Sequence, residues 1–158
     1  MKSLVVYYSR TGNAKFVAET IMKEFGSDIE EIVDLKNRQG HLGYLGAIGD
    51  GSRGKETQIA ETKLSPVEYD LIIVGTPVWA WSPTPAIRTY IEKNSGLSGK
   101  KVALFFTQDA PKPYAVEKTK ALMPNANVVG VLTVSKALSD KAETEKKVVA
   151  WCTTLKQQ

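Results

Sequence analysis

Three short apolar runs constrain this chain more than any other feature of it. They occupy residues 4–8 (Leu-Val-Val-Tyr-Tyr), 71–74 (Leu-Ile-Ile-Val) and 102–106 (Val-Ala-Leu-Phe-Phe). A strand with one face in water would alternate apolar with polar residues, and these do not. They read as strands covered on both faces, the situation of a parallel sheet between two layers of helices. Two weaker strands are expected at residues 30–35 and 128–134.

Between the runs lie stretches with helical spacing. Val17, Ile21 and Phe25 recur at i, i+4 and i+8, with Ala18 and Met22 beside them. Thr84 and Pro85 suit an N-cap and a first helical position ahead of Ile87, Tyr90 and Ile91. A third helix is expected over residues 114–123. A last one, after Ser139, puts Val148, Trp151, Cys152 and Leu155 on one face. Strand and helix alternating in this way predict a three-layer α/β sandwich with right-handed crossovers. No repeat, linker or shift of composition divides the sequence, so residues 1–158 are expected to form one domain. A chain of that size buries about 68–70% of its unfolded surface.

Composition narrows the function classes. A hydrophobic fraction of 42% and a charged fraction of 24% are those of a globular chain, not a disordered one. The apolar run at residues 4–8 is far too short for a signal peptide or a membrane span, which makes a cytoplasmic location the expectation. The one cysteine, Cys152, allows no intramolecular disulfide, and its helical setting marks it as a structural thiol. One histidine, His41, and one cysteine cannot assemble a zinc site of the usual ligand types, and a Ser-His-Asp triad would rest on His41 alone. No metal ligand and no catalytic side chain is assigned. The net charge is +4, but the lysines are spread and no basic run is interleaved with aromatics. That pattern reads as a solvated basic surface, not a nucleic-acid footprint.

Residues 38–57 break the rhythm and hold half of the twelve glycines. A segment this long is either a plain connection or a flap or partner-docking surface. Gly49-Asp50-Gly51-Ser52-Arg53-Gly54 matches G-x-G-x-x-G but lacks the strand before it and the helix after it that the dinucleotide fingerprint needs. Residues 49–56 also approach a P-loop, with Glu56 where the metal-binding hydroxyl belongs. Neither is read as a nucleotide site.

In a doubly wound sheet, ligands bind outside the carboxyl ends of the strands. Three loops matter there. The first holds Ser9, Arg10, Thr11, Gly12, Asn13 and Ala14, between an apolar run and a helix. Its small residues let the backbone approach an anion, its hydroxyls donate, and the helix N-terminus adds unpaired N–H groups and partial positive charge. A phosphate suits it. The second loop, residues 76–82, contains Pro77, Val78, Trp79, Ala80 and Trp81. Either both indoles fold back onto the core, or a planar ligand stacks on one. The third, residues 107–113, opens with Thr107, Gln108 and Asp109 and carries Lys112 between two prolines.

These loops, the segment Ile73-Val74-Gly75-Thr76-Pro77-Val78-Trp79 and the order of elements resemble the flavodoxin family over nearly the full length. The first loop is similar to the family pattern Ser/Thr-x-Thr-Gly-Asn-Thr/Ser and departs from it only at Ala14. The resemblance implies a five-stranded parallel sheet in the order 2-1-3-4-5 and FMN as cofactor. It implies that Ser9, Thr11, Asn13 and the N–H groups from Arg10 through Gly12 to Ala14 hold the FMN phosphate. Pro77, Val78, Trp79, Ala80 and Trp81 would flank the isoalloxazine ring and its N5 edge. Thr107, Gln108 and Asp109 would border its pyrimidine side. The flavin would perform the redox chemistry while the protein positions and tunes it.

Two departures bear on how the flavin would be used. Typical family members are acidic around the flavin and carry a small residue whose peptide flips beside N5. This chain is basic, and its Trp79-Ala80-Trp81 segment has no glycine. A flip to φ > 0 there would cost about 1–2 kcal/mol, so the one-electron-reduced flavin is expected to be less stabilised than in a typical flavodoxin. Fewer negative charges nearby would ease full reduction. Three functions stay open. One is an electron carrier between redox partner proteins. Another is an FMN-dependent NAD(P)H or quinone-type oxidoreductase serving a small-molecule electron acceptor. The third is a flavin-free fold used for binding or regulation. Arg10 and Lys112 are either solvated cations or an attraction for a dinucleotide phosphate or an acidic protein.

Overall fold

The computed structural model describes residues 1–36, 56–110, 112 and 114–158. Among these, the strands are β1 (Ser3–Tyr7), β2 (Asp28–Glu31), β3 (Leu71–Trp79), β4 (Ser82–Pro83), β5 (Lys101–Gln108) and β6 (Asn127–Ser135). The α-helices are α1 (Asn13–Phe25), α2 (Pro85–Lys93), α3 (Tyr114–Ala121) and α4 (Lys141–Lys156). The parallel strands lie in the order β2-β1-β3-β5-β6, and the two-residue β4 pairs antiparallel with the end of β3. Apart from that added hairpin strand, this is the expected order 2-1-3-4-5.

The three apolar runs form the three central strands, and alternate residues of each feed two cores. Leu4, Val6, Ile72, Val74, Leu104 and Phe106 face α2 and α3, meeting Ile87, Tyr90 and Ala115. Val5, Ile73, Ala103 and Phe105 face α1 and α4, meeting Val17, Ile21, Val148, Cys152 and Leu155. Period-2 alternation therefore carries no polar residues, because both faces are dry. Cys152 is fully buried, and that burial pushes its thiol up to about 12.

Several boundaries differ from the sequence reading. The second strand runs over Asp28–Glu31, earlier than expected, and none of its residues is fully buried. It is an edge strand, so its burial pattern is weak. Residues 76–79, expected as loop, continue β3. Thr84 occupies the N-cap position of α2 but does not cap it. Its hydroxyl lies 3.1 Å from Thr76 Oγ1, which accepts a 3.0 Å bond from the Thr84 N–H, so the residue ties β3 to the helix start. Pro85 does take the first turn, as expected. At α4 the cap is Asp140, whose carboxylate accepts from the Glu143 N–H at 3.0 Å.

The glycine-rich stretch at 38–57 falls mostly outside the described residues, as do His41 and the G-x-G-x-x-G match. The P-loop-like stretch does so except for Glu56. Pro111 and Pro113 also lie outside them. On the described side, Thr57 exchanges two hydrogen bonds with the Thr89 hydroxyl of α2, at 2.9 and 3.0 Å.

The tightest constraint in the sheet centre is Gly75 on β3. A Cβ there would stand 1.9 Å from Cζ of the fully buried Phe105, whose ring lies across the strand. Gly75→Ala is expected to overpack this core and lose about 1–3 kcal/mol, read as a fall in the urea unfolding midpoint at unchanged m-value.

Candidate functional site

All five parallel strands end on one edge, and the loops leaving β1, β3, β5 and β6 meet there. The β1 loop turns into α1 through Gly12, whose φ of 89° is one that side-chain-bearing residues adopt only with strain. Ser9 Oγ accepts hydrogen bonds from the N–H groups of Gly12 and Lys15, both at 3.2 Å, and folds the loop against the first helical turn. Asn13 braces it sideways. Its Nδ2 donates to Thr11 Oγ1 at 3.0 Å, and its Oδ1 accepts from the Leu138 N–H at 3.0 Å, in the loop after β6. The N–H groups of Thr11 and Asn13 make no hydrogen bond among the described residues. They sit at the positive end of a 13-residue helix, where an anion is favoured. Ala14 is fully buried in the core beside Val5 and Val17, so this position supplies a methyl to packing.

The second loop is a tight hairpin. Val78 pairs with Pro83 and Trp79 with Ser82, leaving Ala80 and Trp81 as the two connecting residues. Their φ values are 47° and 57°, as a type I′ turn requires. Neither is glycine. The expected cost of positive φ is therefore already carried in this conformation. The hairpin is anchored from below by Lys118 Nζ of α3, which donates to the Ser82 hydroxyl at 3.0 Å.

The two indoles divide the alternatives between them. Trp79 is 8% exposed and packs edge-on against Tyr8 at a centroid distance of 5.6 Å. Trp81, at the hairpin tip, is 56% exposed. One ring is core, and the other is presented to whatever occupies the edge of the sheet.

The four loops enclose a cleft of about 340 Å³. Arg10, Thr11 and Asn13 line it from the first loop, and Pro77, Val78, Trp79, Ala80 and Trp81 from the hairpin. Thr107, Gln108, Asp109 and Lys112 close a third side. Ser9, Gly12 and Ala14 are not in the lining; the first two shape the loop and the third packs beneath it. Lys136 is the lining residue that sequence reasoning missed. It follows β6 at φ 50°, with its N–H on the Gln108 carbonyl at 3.1 Å. The stretch Val134-Ser135-Lys136-Ala137 carries no glycine or hydroxyl cluster to mark it. Among the described residues, no group of His, Cys, Asp and Glu side chains is placed to hold a metal, and no helix is long and apolar enough to cross a membrane. The cleft is therefore lined by the residues of a loop with N–H groups at a helix N-terminus, by an exposed indole and by a polar strand end.

Comparison with known proteins gives this geometry relatives. The family model for Flavodoxin matches residues 2–155. A flavodoxin of Maridesulfovibrio salexigens is 25% identical over 156 residues, covering 95% of this chain and 93% of that protein. The crystal structure of a flavoprotein in complex with FMN from Lactobacillus acidophilus is 25% identical, with a TM-score of 0.76 over 95% of this chain and 97% of that one. Oxidised flavodoxin 2 from Bacillus cereus shares the fold at 21% identity, with a TM-score of 0.67 over 99% of each chain.

The strained turn makes its own prediction. Ala80→Gly is expected to hold stability or raise it by up to about 1 kcal/mol, against the usual direction of an alanine-to-glycine change, because glycine takes positive φ without a Cβ clash. Urea unfolding of the variant checks this.

Proposed function

The chain belongs to the flavodoxin family, and from that premise we propose that it binds FMN in this cleft and carries electrons between redox partners. The observation that carries the reading is the convergence of the unpaired Thr11 and Asn13 N–H groups and the exposed Trp81 on one cleft. FMN has a dianionic phosphate for the first and a flat ring for the second. Both lone-pair positions of Ser9 Oγ are engaged by backbone N–H groups, which leaves its hydroxyl hydrogen as a donor toward the phosphate. The Thr11 hydroxyl adds a second donor. Asn13 contributes its backbone N–H, with its amide side chain spent on holding two loops together.

Along the ring, Trp81 supplies a stacking face, and Pro77, Val78, Trp79 and Ala80 form the wall at the N5 edge. Thr107, Gln108 and Asp109 border the pyrimidine side. Bound FMN supplies reversible one- and two-electron chemistry. The chain's own residues bind, orient and keep water from one side of the ring. A cleft of about 340 Å³ is at the small end of ligand pockets and has room for one such molecule.

Titration of the flavin-free protein with FMN and with riboflavin tests this. Losing the phosphate removes charge-assisted hydrogen bonds worth about 1.5–3 kcal/mol each, so riboflavin is expected to bind at least about 100-fold more weakly. Equal affinity for the two would contradict the phosphate site. Sustained NAD(P)H oxidation with a quinone, without added reductase, would favour the oxidoreductase instead.

A further inference from the structure

We propose that the outer edge of β6 is a pairing surface for a second copy of this chain, joined antiparallel across a twofold axis. This pairing is independent of what fills the cleft. The strand reads Asn-Val-Val-Gly-Val-Leu-Thr-Val-Ser, with no charged residue and no proline. Among the described residues, β6 is the last strand of the sheet and pairs only with β5. Its one backbone hydrogen bond outside that ladder runs from the Asn127 N–H to the Lys100 carbonyl, on the same side. The outward N–H and C=O groups are therefore left to solvent, as a template for another strand. A register shift opposite Val102 and Ala103 interrupts the ladder near its start, and over residues 130–135 it runs without a break.

The other edge shows how this chain blocks such pairing. β2 is short and carries Asp28, Glu30 and Glu31. Residues 57–64 also lie against it and the turn that follows. The Ala60 N–H donates to the Val33 carbonyl and the Leu35 N–H to the Gln58 carbonyl, both at 2.9 Å. The Glu30 carboxylate accepts from the N–H groups of Lys63 and Leu64. Charge, shortness and a covering segment are devices that keep edges from associating, and β6 has none of them over residues 130–135. There Val131 is 36% exposed, and Thr133 is exposed beside it on the same face.

The contrast between the two edges selects the occupant. A head-to-tail contact would set β6 against β2 and build an open stack, and β2 is closed to it. Between copies of this chain, that leaves β6 against β6, which a twofold axis normal to the sheet makes antiparallel. Every cross-strand pair drawn from residues 127–135 is uncharged, so the strand is complementary to itself. Leu132 and Val134 keep their places against the α1 and α4 core, while Val131 and Thr133 gain neighbours on the open face. The carboxyl ends of the two strands point apart, so both clefts stay open at opposite ends of the joined sheet.

Sedimentation of the purified protein from micromolar to near-millimolar concentration tests this. The mass is expected to rise from one chain to two and stop there, at the weak end of affinities because a strand edge is a small interface. Each copy carries a net charge of +4, so self-association is expected to tighten as salt rises from about 0.01 M to about 0.15 M. Val131→Lys/Thr133→Lys brings like charges together across the axis and is expected to weaken the dimer at least about tenfold. The control Val149→Lys/Thr153→Lys adds the same charge to the exposed face of α4. At about 0.15 M salt it is expected to change the dimer less than about threefold.

Hydrogen exchange of the unmodified chain should slow at β6 amides as concentration rises, a readout that needs neither variant to fold. A single-chain mass throughout, growth beyond two chains, equal weakening by both variants, or slowed exchange confined to other elements would each overturn the proposal.

Discussion

A parallel sheet cannot be closed by hairpins, so each crossover must carry the chain back to the same starting edge. Everything functional in this molecule depends on that constraint. It stacks the carboxyl ends of β1, β3, β5 and β6 on one side and leaves their loops to share a single cleft. The central strands can hold this arrangement because both of their faces are dry, with Leu4, Ile72 and Leu104 in one core and Val5, Ile73 and Phe105 in the other. Gly75 lets β3 pass under the Phe105 ring, and a strand displaced there would carry the Trp79 hairpin with it.

The loops are then fixed to one another, not merely brought close. Asn13 and Leu138, 125 residues apart, lock the first loop to the last. The Lys136 N–H on the Gln108 carbonyl joins the last loop to the third, and Lys118 on Ser82 joins α3 to the hairpin. Such cross-links let three non-glycine residues, Ala80, Trp81 and Lys136, stay at positive φ, a strain that persists only where surrounding structure imposes it. Binding groups held this way lose little entropy when a ligand arrives.

How much of this was legible in the sequence follows from where the determining forces lie. The central strands were readable because two-sided burial leaves a continuous apolar run, and the turn from β1 into α1 because small and hydroxyl residues separate that run from a helical pattern. The edge strand β2 was placed late, since a half-exposed strand has no clean pattern. The hairpin at Ala80 and Trp81 was read as loop because a type I′ turn normally announces itself with glycine or asparagine. Thr84 looked like a cap, but its hydroxyl goes to Thr76 eight residues earlier, a contact only the folded chain makes. Lys136 enters the cleft through tertiary packing alone.

The central proposal is that the β1 loop recognises the phosphate, with the Thr11 and Asn13 N–H groups binding it beside the Ser9 and Thr11 hydroxyls. Amide chemical shifts of ¹⁵N-labelled protein measure that directly. Adding FMN should move the Thr11 and Asn13 N–H resonances strongly downfield, while riboflavin at saturation leaves them near their starting positions. Downfield shifts appearing equally with riboflavin, or absent from these two amides with FMN bound, would contradict it.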